Sequence, residues 1–201
     1  MNYQAYYEEA HSKYPEVTIN LIKATTMKES AGIRTRISQD GARGLLQLMP
    51  CTAKELNSRK DNLFVLQRVK CLQCRDGTTN CNPCERYGNC VKAGPGAGYD
   101  HSLDARTNIL AGTKYLKQKL NDCSALPNYV KGQEITDEEI IKCALASYNA
   151  GHGKVIKAAV SADSTSFADY KIKFKPTVSK EVVPYVTIVL GYYKWLEENN
   201  V

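Results

Sequence analysis

Apolar residues recur at helical spacing along most of this chain, and this pattern constrains its fold more than any other feature. One broad apolar stripe runs from Val17 to Met27, and a second runs from Ile109 to Leu120. Such spacing is typical of helices that bury one face. No stretch of useful length alternates apolar and polar residues as a half-buried strand does. The sequence therefore predicts a mainly α-helical fold.

Local signals set the ends of the predicted helices. Pro15 and Pro50 each fit the first turn of a helix, where the missing N–H of proline costs nothing. Thr136, with Glu139 three residues later, forms the pattern of a capping box. The predicted helices cover residues 2–12, 15–30, a segment from 50, a segment from 104, 136–148 and 179–198.

The helical pattern fails between residues 64 and 101. Five of the eight cysteines lie inside this segment on a stretch of twenty residues, among several glycines and prolines. We predict one domain over residues 1–201, interrupted by a cysteine-rich insert at 64–101.

Four cysteines of the insert form two Cys-x-x-Cys pairs, Cys71 with Cys74 and Cys81 with Cys84. This arrangement is one that tetrahedral zinc favours. The alternative is three disulfides, made by the five clustered cysteines together with Cys123. The absence of a recognisable signal sequence favours zinc, because a reducing cytoplasm keeps thiols reduced.

The chain has a formal net charge of +6, which favours an anionic partner such as nucleic acid, anionic lipid or acidic cell-wall polymer. The densest basic stretch, Lys171 to Lys180, is broken by Pro176 and has no recognition-helix pattern, so we do not expect nucleic-acid binding. No apolar run is long enough to span a bilayer. Residues 1–16 lack the features of a secretory signal, so a leader was removed or the chain travels by another route.

Glu29 falls at the C-terminal end of the second predicted helix, where the helix dipole disfavours negative charge. If the core also screens this carboxyl from water, its pKa is raised and it holds a proton near neutral pH. A general acid requires that property. The competing interpretation is a solvated residue at a helix end, and Glu29 taken alone favours that interpretation.

Five short patterns follow one another along the chain: Glu29-Ser30, Gly44–Pro50, Asn108–Leu116, Ser147–Gly151 and Glu181–Val186. They are similar to motifs of the soluble-type lytic transglycosylases, whose catalytic domain is lysozyme-like and related to goose-type lysozyme. Leu46 stands where that family has methionine, and Ser147 where it has alanine. The resemblance covers about residues 15–195, except the cysteine-rich segment, which therefore resembles an insertion.

The resemblance implies a peptidoglycan lytic transglycosylase, a lyase that cleaves between N-acetylmuramic acid and N-acetylglucosamine without a cofactor. Glu29 would protonate the glycosidic oxygen and then deprotonate the muramoyl C6 hydroxyl, which attacks C1 and leaves a 1,6-anhydro end. Most glycosidases instead use two carboxylates. Asp40 is the nearest other acid, and it is the residue to suspect if the enzyme hydrolyses its substrate.

The resemblance also implies a set of substrate-binding residues: Ser38, Gln47, Met49, Tyr148, Asn149 and Tyr185. Tyr185 is expected to approach the catalytic carboxyl and keep it protonated. Two members have structural alternatives, because Met49 could serve only in packing and Asn149, with Gly151, could form only a left-handed helix cap.

Four further residues near the motifs are expected to take no part in chemistry. Ser30 is expected to form a hydrogen bond at a helix end, and His152 to be exposed and inert. Cys51 and Cys143 stand where relatives have small apolar residues, and we expect them to be free thiols in the core.

Two rival functions remain open from the sequence, a hydrolytic lysozyme on the same fold and a non-catalytic wall-binding module. The expected partner is the peptidoglycan glycan strand, and the expected place of action is the bacterial wall, whether periplasmic, extracellular or virion-associated. The protein would act as a monomer or within a larger virion or secretion assembly.

Overall fold

A computed structural model describes residues 2–57, 104–130 and 132–199 of the protein. These residues are mainly helical, as the sequence predicts, and their antiparallel pairing is limited to isolated bridges between Ile37 and Arg43 and between Arg43 and Leu48. None of the described helices is long and apolar enough to cross a bilayer.

The described residues contain eight α-helices and two short 3₁₀ turns. In order they are α1 Gln4–Lys13, α2 Ile19–Ser30, α3 Pro50–Asn57, α4 Ala105–Ser124, the turn Leu126–Asn128, α5 Asp137–Ala150, α6 His152–Ala162, α7 Phe167–Tyr170, the turn Lys171–Lys173 and α8 Pro176–Asn199.

The chain divides into two compact units. The first unit contains Met1–Pro15 and Thr25–Lys114, and the second contains Glu16–Ala24 and Tyr115–Val201. The division falls within α2 and α4, so each of these helices contributes to both units. The predicted insert at residues 64–101 lies outside the described residues, and its bounds stay a prediction.

Each unit has its own apolar core. In the first unit the buried residues include Leu45, Leu48 and Ile109, which come from the loop before α3 and from α4. In the second unit α5 packs against α6 and α8, and the buried residues include Leu145 and Val189.

The predicted start of α2 is wrong by about one turn. The helix begins at Ile19, because the hydroxyl of Thr18 accepts a hydrogen bond from the N–H of Leu21 at 3.2 Å and so caps this end. Pro15 lies in the preceding turn. The capping residue Thr18, three residues after Pro15, was therefore a better signal for the start of α2 than the proline.

The predicted cap of α5 is confirmed. Thr136 is extended, and its hydroxyl accepts a hydrogen bond from the N–H of Glu139 at 3.3 Å. The carboxylate of Glu139 instead accepts from Lys142 and from the backbone N–H of Phe167, which ties α5 to α7.

Helices α6 and α7 were not predicted from the sequence. Helix α6 starts directly after Gly151 with no side-chain cap, so it lacks the usual start signal. Its buried residues Val155, Ala158 and Ala159 do follow helical spacing, and this was the available clue.

Candidate active site

Glu29 lies in the last turn of α2, as predicted, and its side chain is half-buried. The helix ends because Ala31 and Gly32 adopt positive φ values of 53° and 76°. Ser30 is fully buried, and its hydroxyl donates to the carbonyl of Thr26 at 3.2 Å. The predicted helix-end role of Ser30 is therefore confirmed.

Tyr7 on α1 supports this end of α2, and sequence reasoning did not single it out. It is buried and shares a hydrogen bond with the side chain of Thr26, one helical turn before Glu29. Burial raises the pKa of Tyr7 above its ordinary value, so the phenol stays neutral at physiological pH.

Ser38 builds a tight turn in the loop after α2. Its backbone N–H donates to the carbonyl of Ala42 at 2.9 Å, and its hydroxyl oxygen accepts from the N–H of Ala42 at 3.0 Å. The hydroxyl proton takes no part in these bonds. Ser38 can therefore hold the loop and still donate to a sugar, and its substrate contact stays a prediction.

Gln47 occupies a second turn with an uncommon backbone. Its φ is +45°, and its side-chain amide donates to the carbonyls of Arg36 at 3.0 Å and Gly44 at 2.8 Å. These bonds stabilise a conformation that residues with side chains rarely adopt. They use both N–H groups of the amide, so its carbonyl oxygen is the atom suited to accept from a sugar.

The segment from Arg43 to Leu48, called here the Arg43–Leu48 turn, is closed by two backbone hydrogen bonds between its end residues at 3.1 and 3.0 Å. The buried side chain of Asn108, near the start of α4, binds the backbone of this turn. Its side-chain oxygen accepts from the N–H of Leu46 at 2.7 Å, and its amide donates to the carbonyl of Arg43 at 3.0 Å. Asn108 is fully buried, so nothing in the solvent can replace these bonds.

Gly112 lies one turn beyond Asn108 and lets the same loop approach α4. A Cβ at this position would lie 2.3 Å from Cδ1 and 2.6 Å from Cβ of Leu46. Only glycine fits there without displacement of the leucine. Asn108 and Gly112 belong to one of the motifs quoted above, but their hold on the Arg43–Leu48 turn was not foreseen.

Met49 precedes α3 and is half-buried, and its carbonyl accepts the N–H of Ala53 at 2.9 Å. It thus begins the helix. Its predicted place on the wall of a sugar groove stays a prediction.

In the second unit, Tyr148 and Asn149 lie in the last turn of α5. Tyr148 is half-buried, with its ring centroid 5.1 Å from that of Tyr115, and Asn149 is exposed. Gly151 follows with φ +91° and ψ 134°, which is not the left-handed helical conformation of the alternative cap. Its N–H donates to the carbonyl of Ser147 at 2.9 Å, and α6 begins at the next residue.

Two expectations near this segment are wrong. Cys143 is not a free thiol but forms a disulfide with Cys123, with a Cα–Cα distance of 5.8 Å that ordinary disulfide geometry allows. The alternative pairing of Cys123 with the clustered cysteines is wrong for the same reason. Cysteines twenty residues apart on two different helices are brought together only by the packing of α4 and α5.

His152 is half-buried rather than exposed. Its Nδ1 lies 3.2 Å from the hydroxyl oxygen of Ser147. Burial lowers the pKa of His152 below its ordinary value, Asp122 acts in the opposite direction, and Lys119 lowers it further. The ring is therefore kept neutral and can accept the Ser147 proton at Nδ1.

Tyr185 is buried on α8, directly after Pro184 in the helix interior. It belongs to the second unit and Glu29 to the first. The contact between them that the resemblance implies stays a prediction.

A groove of about 400 Å³ opens on the second unit between α5, α7 and α8. Its floor includes Phe167 and Leu190, and Lys171 and Lys194 lie along it. None of the residues predicted for catalysis or substrate binding lines it, so it is not the candidate active site.

The predicted zinc ligands Cys71, Cys74, Cys81 and Cys84 lie outside the described residues, as does the predicted insert. Within residues 2–57, 104–130 and 132–199, no three histidine, cysteine or acidic side chains come together as a metal site. The disulfide also weakens the argument for zinc, because that argument assumed thiols kept reduced.

A family model described as the transglycosylase SLT domain matches residues 6–69 and 84–171. The matched ranges include Glu29, Gln47 and Asn149, whereas residues 70–83 within the predicted insert are unmatched.

Two solved structures share the fold at low sequence identity. An inactive mutant of the lytic transglycosylase Slt from Pseudomonas aeruginosa is 22% identical with a TM-score of 0.60, over 100% of this chain and 25% of its own. The 70 kDa soluble lytic transglycosylase of Escherichia coli is 20% identical with a TM-score of 0.52, over 95% of this chain and 24% of its own. The chain thus spans about a quarter of the length of these proteins.

Proposed function

The chain belongs to the transglycosylase SLT domain family, and on this basis we propose that it is a peptidoglycan lytic transglycosylase. It cleaves the β-1,4 bond between N-acetylmuramic acid and N-acetylglucosamine and leaves 1,6-anhydromuramoyl ends.

The observation that carries this proposal is the position of Glu29. Its half-buried carboxyl lies in the last turn of α2, at the negative end of the helix dipole. The same unit holds the Gln47 amide on a turn fixed by the core. The reaction needs a proton donor and a preorganised sugar-binding turn, and both are proposed within this unit.

In this proposal Glu29 makes both proton transfers of the reaction. The carboxylic acid gives its proton to the glycosidic oxygen as the bond to C1 breaks, and N-acetylglucosamine leaves with a free C4 hydroxyl. The carboxylate then takes the proton of the muramoyl C6 hydroxyl while its oxygen forms a bond to C1. The glutamate ends protonated, as it began, and water is not consumed.

The remaining predicted residues bind the glycan in this proposal. Ser38, Gln47, Met49, Tyr148 and Asn149 are the residues proposed to contact the sugars. Tyr185 acts on Glu29 and keeps the carboxyl protonated between turnovers. The net charge of +6 suits an anionic bacterial wall as the place of action.

The test is the variant Glu29→Gln, assayed on purified glycan strands with mass spectrometry of the products. We expect anhydromuramoyl ends from the wild type and a loss of activity of at least about 10²–10⁴-fold in the variant. Glu55→Gln, an exposed acid on α3, is the matched control and should keep activity.

Other products would contradict the proposal. Reducing muramoyl ends would identify a hydrolytic lysozyme, and loss of activity in Asp40→Asn would then point to the exposed Asp40 as the second carboxylate. Wall binding without turnover in the wild type would identify a binding module.

The state of the insert is a separate proposal. Cys71, Cys74, Cys81 and Cys84 would bind one structural zinc, with disulfides as the alternative. Metal analysis of protein purified without chelator decides between them, since absence of zinc together with absence of titratable thiols excludes the zinc site.

A further inference from the structure

Ser147 is a buried polar residue inside a motif where the family has alanine. Its exposed fraction is 0%, so its hydroxyl needs a partner within the protein. The hydroxyl oxygen lies 3.2 Å from Nδ1 of His152 and 3.5 Å from Sγ of Cys123. A neutral imidazole can accept the hydroxyl proton at Nδ1, and the sulfur lies against the same oxygen.

This hydrogen bond joins the two ends of the segment that carries the predicted sugar-binding residues. Ser147 is in the last turn of α5, and His152 is the first residue of α6. Between them lies the Tyr148–Gly151 segment, which Gly151 turns sharply with its φ of +91°. The side-chain pair therefore bridges the break between the two helices.

The disulfide fixes one side of this bridge. Cys143 lies four residues before Ser147, so both side chains project from the same face of α5. The bond from Cys143 to Cys123 ties that face to α4. Sγ of Cys123 lies 4.0 Å from Nδ1 of His152, so the sulfur borders both members of the pair.

We propose that Ser147 and His152, braced by the Cys123–Cys143 disulfide, are positioning residues that hold the Tyr148–Gly151 segment in the conformation that binds the glycan strand. The proposal rests on the proposed function, because it assigns these residues a role in the same site. They act through Tyr148 and Asn149 and do not touch the reacting atoms.

The test compares KM and kcat on glycan strands for Ser147→Ala, His152→Leu and the double variant. We expect KM to rise about three- to tenfold in each single variant with kcat unchanged, as expected for the loss of one neutral hydrogen bond. The double variant should show no further rise, because both changes remove the same bond. Ser147→Ala restores the family residue, so it is expected to fold.

Two further variants separate positioning from a general loss of structure. Ser161→Ala on α6 removes an exposed hydroxyl that donates to the carbonyl of Lys157, and KM should not change. His152→Asn retains an atom that can accept the Ser147 proton, and it should return KM toward the wild-type value. A KM in His152→Asn as high as in His152→Leu would contradict the proposal.

Amide hydrogen exchange provides a readout that does not depend on catalysis. The N–H of Gly151 and the N–H of Lys154, which donates to the carbonyl of Gly151 at 3.1 Å, should exchange faster in both single variants. Unchanged exchange at these amides would overturn the positioning role. Absence of anhydromuramoyl products from the wild type would instead refute the proposed function and leave the exchange result valid.

Discussion

The Arg43–Leu48 turn and the Tyr148–Gly151 segment both contain predicted sugar-binding residues, but they are held in different ways. In the first unit, the side-chain amide of Asn108 bonds directly to backbone groups of Leu46 and Arg43. In the second unit, a disulfide and a side-chain hydrogen bond hold the ends of two helices.

The difference predicts how each region fails. One buried residue, Asn108, makes two side-chain hydrogen bonds to the backbone of the Arg43–Leu48 turn, so its substitution should be severe. The Tyr148–Gly151 segment is held by a covalent bond and a separate hydrogen bond, so the loss of either one should be milder. Each of the following experiments removes one of these supports.

Asn108→Ala should have the largest effect. It removes two buried hydrogen bonds, at a cost of about 2–4 kcal/mol in the free energy of unfolding. The carbonyl of Arg43 keeps the N–H of Leu48 as a donor, so most of this cost comes from the bond to the N–H of Leu46. Urea unfolding measures this loss. Asn121→Ala, an exposed asparagine on the same helix, is the control and should change stability little. A loss below about 1 kcal/mol for Asn108→Ala would show that water replaces the amide.

Removal of the disulfide should have an intermediate effect. The double variant Cys123→Ala/Cys143→Ala opens a link with a sequence separation of 20, which costs about 3 kcal/mol in the chain-entropy view. Thermal unfolding with and without reductant measures it.

Reductant should lower the unfolding temperature of the wild type more than that of the variant. Equal shifts in the two proteins would contradict the disulfide. Amide exchange of Leu46 in the first unit should stay as in the wild type, because Asn108 holds that amide.

Protonation of His152 should have the smallest effect, and of the two regions it concerns only the Tyr148–Gly151 segment. Burial lowers the pKa of His152 below 6.5, so the unfolded chain binds this proton more readily than the folded chain does. Stability from this residue is therefore unchanged above about pH 6.5 and is lost as the pH falls from there toward the folded pKa. His152→Gln should remove this component, and identical pH profiles of unfolding for the two proteins would contradict it.

The sequence predicted much of the fold. Helical periodicity located α2, α4, α5 and α8, and Thr136 was correctly identified as a cap because capping is a local interaction. The start of α2 was wrong because the cap at Thr18 outweighed the proline signal, and α6 was missed because it begins without a cap.

The sequence proposed the residues of the candidate site, but it did not predict which residues hold them in place. Glu29, Gln47 and Tyr148 were identified from motifs and lie at helix ends or in a turn, as motif residues often do. Cys143 and His152 were wrongly interpreted because their neighbours are distant in sequence or lie across a helix break. A single sequence carries no signal for such contacts.

By itself, the sequence determined the helical class, the order of the motifs and the identity of the residue expected to carry the proton. These three properties depend on residue type and on spacing along the chain, and both can be read directly from the sequence. Only the tertiary structure decided that Asn108 holds the Arg43–Leu48 turn and that Cys123 joins Cys143. The physical reason is that hydrogen bonds and disulfides between distant residues form only after packing has brought their atoms within bonding distance.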